Sequence, residues 1–152
     1  MKKRKFMFIS LVAGALITSA TLSHVTQAAE GITKTREAGM KSMGKALKSI
    51  KQLIDSNGDK AQIATNAQTI IDVSAKIPTW FPKEAGTGEA GKPEIWEQWD
   101  KFQADAKNLN TQATQLLAAA NGGGDMSAVQ AQFQMTGKAC GTCHETFKKK
   151  DD

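Results

Sequence analysis

Cys140-Gly141-Thr142-Cys143-His144, ending eight residues before the last, is the stretch that decides how this chain folds. On a helix, Cys140 and Cys143 lie one turn apart on one face, so both thiols can bond the two vinyl-derived carbons along one edge of a porphyrin. His144, four residues after Cys140, then projects beneath the ring to bind its iron. A bare C-x-x-C has other uses: a thioredoxin-like redox pair, half of a zinc site, or a structural disulfide. The redox pair belongs after a strand in a βαβ pattern, and no segment reads that way. Zinc needs four ligands, whereas the chain has two cysteines and two histidines, one of which, His24, lies in a segment expected to be removed. The motif therefore predicts one covalent haem c per chain.

Moving outward, the haem residues share a stripe with apolar positions. Asn121-Gly122-Gly123-Gly124 breaks the chain, Asp125 offers an N-cap, and Val129, Phe133, Thr136, Cys140, His144 and Phe147 trace one helix face. Before it, Pro93 suits the first turn of a helix whose stripe is Trp96, Trp99, Phe102, Ala106, Leu109, Ala113, Leu116 and Ala120. Residues 78–92 form a long connection with Trp80 and Phe81 as its large apolar side chains, expected to pin it over the core. Earlier still, Ile63, Ala67, Ile70, Ser74 and Ile77 repeat the helical spacing until Pro78, after a capping signal at Asp59 and Gln62. The first stripe is Ile32, Arg36, Met40, Met43, Leu47, Ile50 and Ile54, closed by Ser56-Asn57-Gly58. Four amphipathic helices with two short links and one long one predict an all-α, antiparallel four-helix bundle enclosing the haem.

The chain opens with the basic residues Lys2 to Lys5, a largely apolar stretch to Ala20, and small residues at Thr26, Ala28 and Ala29. This predicts a signal peptide over 1–28, cleaved after Ala28, and a mature domain over 29–152 in the periplasm. An uncleaved anchor fits less well, because Ser10, Gly14, Thr18 and Ser19 interrupt a short apolar run. Lys2, Lys3, Arg4 and Lys5 leave with the signal, so 20 basic residues against 15 acidic become 16 against 15. The high sequence pI of 9.3 is thus largely a property of the leader and gives no ground for nucleic-acid binding. Export also suits covalent haem attachment, which bacteria carry out beyond the membrane.

With these residues in view, the chain resembles the cytochrome c-prime family, the class II c-type cytochromes. Arg36-Glu37-Ala38-Gly39-Met40-Lys41-Ser42-Met43-Gly44, Phe81-Pro82 with Lys92-Pro93-Glu94-Ile95-Trp96, and the C-terminal C-x-x-C-H carry the likeness from about Gly31 to Lys150. The resemblance implies thioethers at Cys140 and Cys143 and a proximal ligand at His144. It implies a haem-propionate partner at Arg36, a haem contact at Glu37, and a bulky side chain at Met40 that covers the open face of the iron without binding it. Met43 is the alternative sixth ligand. Many members carry an arginine four residues after the histidine; here Lys148 keeps the charge and loses the planar fork.

The function this implies is a non-enzymatic electron-transfer or gas-binding protein, with NO or CO as ligand at a five-coordinate iron and an unidentified redox partner. A low-spin His/Met electron carrier is the first alternative. A thiol oxidoreductase using Cys140 and Cys143, or a haem peroxidase, comes after it, and the latter would want a distal acid-base pair for which the first helix has no histidine. The family also implies a homodimer through the first two helices, with Leu53 and Ile71 as candidate interface residues.

Overall fold

The computed structural model describes residues 20–88 and 90–150, with side chains from residue 29 onward. Helices α1 (Ala20–Asp55), α2 (Lys60–Ser74), α3 (Glu94–Glu97), α4 (Trp99–Asn121) and α5 (Met126–Phe147) follow in order, and two 3-10 turns, Ile77–Trp80 and Lys83–Ala85, lie in the long connection. Among the described residues there is no strand, and no helix is long and apolar enough to cross a membrane. The four long helices form the expected bundle. α1 packs on α2, α2 on α4 and α4 on α5, while α1 and α5 meet over a shorter length and leave a space between them. Most of the expected signal segment lies outside the described residues, and the cleavage point after Ala28 falls within continuous α1.

Local chemistry sets the helix ends. Asn57 adopts a left-handed φ of 49°, and the Gly58 N–H reaches back to the Leu53 carbonyl at 2.7 Å, which closes α1. The Asp59 carboxylate then accepts the Ala61 N–H at 2.8 Å, and Gln62 adds its own backbone N–H to the Asp59 carbonyl at 3.2 Å. At the other tight turn Asp125 accepts from the Ser127 N–H at 3.1 Å to start α5.

Every stripe places its centre in the core: Ile50, Ile63, Ile70, Leu116 and Val129 are each under 2% exposed. Two buried polar residues of those stripes are satisfied. Ser74 Oγ donates to the Ile71 carbonyl at 3.1 Å and accepts from Asn110 Nδ2 at 3.0 Å, and Thr136 Oγ1 donates to the Gln132 carbonyl at 2.9 Å. The third expected helix is different. It is broken at Gln98, whose φ of −122° and ψ of 45° separate α3 from α4. The kink turns Ile95 inward, to 1% exposure, and leaves Trp96 and Trp99 half buried. Trp96 instead spends its indole N–H on the Phe81 carbonyl at 3.0 Å, tying α3 to the loop before it. Leu53 and Ile71 are half buried against the core, and Met135 is the large apolar side chain left exposed among the described residues.

Candidate functional site

Where α1 and α5 stand apart, the bundle holds a cavity of about 290 Å³. Its α5 wall presents Cys140, Cys143, His144 and Phe147, and the α1 wall presents Arg36, Glu37, Met40, Met43, Gly44 and Leu47. Phe102, Ala106 and Leu109 of α4 close one side, and Phe81, Thr87, Gly88, Gly91 and Ile95 roof it from the connection and α3. All seven residues singled out in the sequence for the haem site thus meet in one space, although more than a hundred positions separate Arg36 from His144. Phe81 was expected to pin the connection over the core, whereas Ile95, Thr87, Gly88 and Gly91 escaped the pattern reading.

Neither cysteine is in a disulfide, and both are half buried. Burial pushes both thiols up, Cys143 to about 11, with Asp105 adding to the rise and Lys101 opposing it. Burial in this wall is the reverse of the electropositive setting that makes a reactive thiolate. His144 is exposed on the same wall. Among the described residues no group of three or more His, Cys, Asp or Glu is placed to hold a metal ion by itself.

Arg36 is 7% exposed, and its guanidinium is engaged by the connection. Nε and Nη2 donate to the Trp80 carbonyl at 3.2 and 2.6 Å, Nη2 also to Gly86 at 3.2 Å, and Nη1 to Thr87 at 2.5 Å. Below it the Phe81 ring centre lies 3.9 Å from Cζ. Burial lowers the Arg36 pKa and the Glu37 carboxylate opposes that shift. The close fit needs two glycines. A Cβ on Gly88, already at a left-handed φ of 67°, would sit 3.0 Å from Arg36 Nη1, and one on Gly39 would run into the indole ring of Trp80.

The roof is fastened at its far end as well. The Lys92 N–H donates to the Phe147 carbonyl at 3.0 Å and the Lys149 N–H to the Ala90 carbonyl at 2.8 Å, forming an isolated antiparallel bridge beside Gly91. Lys92 Nζ also reaches the carbonyls of Glu145 and Thr146, where cationic charge meets the negative end of α5. Lys148, four residues after His144, is half buried and lines the cavity. Phe102 sets its ring edge-on to Phe81 at 4.9 Å and to Phe147 at 5.2 Å, binding roof, α4 and α5 together.

Two thiols and an imidazole on one wall, thioether and aliphatic side chains opposite, and a Gly44 whose Cβ would meet nothing within 4 Å make a site whose donors and shape fit a flat apolar ring held by one edge. A four-helix bundle with C-x-x-C-H at the end of its last helix, facing such a cavity, defines a class II c-type cytochrome. Residues 31–148 match the Cytochrome C' family, and the chain belongs to it. It is 38% identical to a cytochrome c-556 of Agrobacterium tumefaciens (strain B2A) over 124 residues, 79% of this chain and 98% of that one. Its fold is similar to the nitric oxide complex of a mutant cytochrome c prime from Alcaligenes xylosoxidans, with a TM-score of 0.72 and 27% identity over 80% of this chain and 97% of that one. A cytochrome c' with ligand-controlled dimer dissociation superposes with a TM-score of 0.73 and 25% identity, over the same two shares. The cofactor of the family, and of this chain, is one covalent haem c.

Proposed function

We propose that this chain is an exported, periplasmic cytochrome in which Cys140 and Cys143 carry haem c through thioethers, His144 is the proximal iron ligand, and the site transfers single electrons and takes small gases such as NO or CO. One observation carries the reading: the two thiols and the imidazole share one wall of a single cavity, and Met40 stands on the wall facing them. Bound haem c supplies an iron that changes oxidation state by one electron and accepts diatomic ligands. The chain's residues set the conditions. Met40, Met43 and Leu47 give the facing wall an apolar surface, which disfavours water and anions and admits neutral gases. Arg36 holds the roof. Four of its five N–H directions are taken by recorded bonds, so bidentate pairing with a propionate would require a loop carbonyl to be released. Among the described residues that line the cavity His144 is the one histidine, so the facing α1 wall carries no distal imidazole for a peroxidase.

In this reading Met40 shields the iron and the resting state is five-coordinate and high-spin. A second reading is favoured by a specific feature: both Met40 and Met43 line the wall opposite His144, and a thioether is an iron ligand. Absorption spectra of the oxidised and reduced holoprotein separate the two. Five-coordinate iron keeps its high-spin spectrum in Met40→Ala, which then opens the facing wall to larger ligands. A low-spin spectrum with a methionine-to-iron charge-transfer band, abolished in Met40→Ala or Met43→Ala, would establish the six-coordinate electron carrier instead. Haem that stays with the polypeptide through denaturation and acidic organic extraction, but not in Cys140→Ala/Cys143→Ala, confirms the thioethers. Intact mass beginning at Ala29 checks the cleavage site.

A further inference from the structure

On the outer side of α1, Lys34, Lys41, Lys45 and Lys48 are exposed and spaced by seven, four and three residues. At about 100° per residue they fall within about 60° of one another, and at helical rise they extend about 21 Å along the axis. Lys45 lies four residues after Lys41 and three before Lys48, like-charge spacings that work against helix stability. Neither recorded ion pair, Lys51–Asp55 or Lys101–Asp105, neutralises them. The nearest carboxylate on the same helix is Glu37, one turn before Lys41, and Lys45 and Lys48 have none within a turn.

Gly44 lies between this ridge and the apolar face of α1. It is exposed, it lines the cavity, and a Cβ placed on it would meet nothing within 4 Å. Gly44 thus adds no side chain to the cavity wall beside these three lysines, one helix turn from Met40 and next to Met43.

We propose that the Lys41–Lys45–Lys48 ridge beside Gly44 is the docking surface for an acidic one-electron redox protein, which exchanges its electron with the cavity site past Gly44, where the wall carries no side chain. This rests on the reading that haem c occupies the cavity. One electron passes from iron(II), leaving iron(III), to the partner's redox centre, which is reduced by one; no bond or proton changes. Charge complementarity selects the occupant: an acidic surface relieves the lysine repulsion and is steered toward this face of α1. A second copy of this chain, paired symmetrically here, would bring the same lysines against their equivalents.

The test uses holoprotein on a gold electrode coated with a carboxylate-terminated thiol monolayer, which stands in for the acidic surface. Wild type should exchange electrons reversibly at low ionic strength and lose the signal at about 0.5 M salt, where screening acts within a few ångströms. Lys45→Glu/Lys48→Glu should lower the interfacial rate constant about tenfold or more, with the haem spectrum unchanged. Lys76→Glu/Lys107→Glu carries the same charge change on exposed lysines outside the cavity lining and should change the rate less than about twofold. Equal losses in the two variants, or none in the first, would overturn the assignment. So would a wild-type dimer that Lys45→Glu/Lys48→Glu dissociates, which gives the ridge to a second copy, or ridge-dependent binding to phosphatidylglycerol vesicles with unchanged voltammetry, which gives it to a membrane. Haem that washes out on acidic extraction is a separate failure, of the cavity reading itself.

Discussion

Arg36 shows how one side chain can close a site. A buried guanidinium bonded to three loop carbonyls holds residues 80–87 down over the cavity, and no other residue type offers that many donors in one plane. Arg36→Lys keeps the charge and loses most of those bonds. It should raise hydrogen exchange and proteolytic cutting across residues 84–88 while the rest of the bundle stays protected, and Arg36→Ala should do so more strongly. Gly39 is the packing counterpart. In Gly39→Ala the new methyl competes with the Trp80 ring, and the variant should lose about 1–3 kcal/mol in urea titration, with altered near-ultraviolet dichroism from the displaced indole. Arg36 stood out in the sequence as a charge on an apolar stripe, so its burial was legible. Its partners were not, because the acceptors are backbone carbonyls, which every residue possesses.

Among the elements, the four long helices could be read because each carries an apolar stripe of several turns with a stop or start signal at its ends. The break at Gln98 could not. Trp96, Trp99 and Phe102 continue the helical spacing across it, with no Gly or Pro to mark the kink, and what turns the chain is tertiary: Ile95 is drawn into the cavity wall and Trp96 to the Phe81 carbonyl. The start of α5, by contrast, is a local device with a pH signature. Hydrogen bonds from Ser127 and then the Ala128 N–H hold the Asp125 carboxyl below its ordinary 3.8. A depressed folded pKa means the cap contributes fully above about pH 4 and is lost as pH falls through the lower folded value. Asp125→Ala should therefore lower the Tm at neutral pH, and the gap between it and wild type should narrow in acid below that point.

For the whole molecule, the family suggests pairing through α1 and α2, yet Leu53 and Ile71 are half buried and the outer side of α1 carries lysines. Such a dimer would have little apolar area to bury and like charges to oppose. Sedimentation should show association that is weak at low salt and strengthens as salt screens the lysines; a tight, salt-independent dimer would contradict this. The bridge between Ala90–Lys92 and Phe147–Lys149 bears on something else, how the pocket stays closed once it is filled. Its second side comes after His144, so a chain without those few residues has both cysteines and the imidazole but no clasp. A chain truncated after Thr146 should therefore accept its ring and then fail to keep the roof shut behind it.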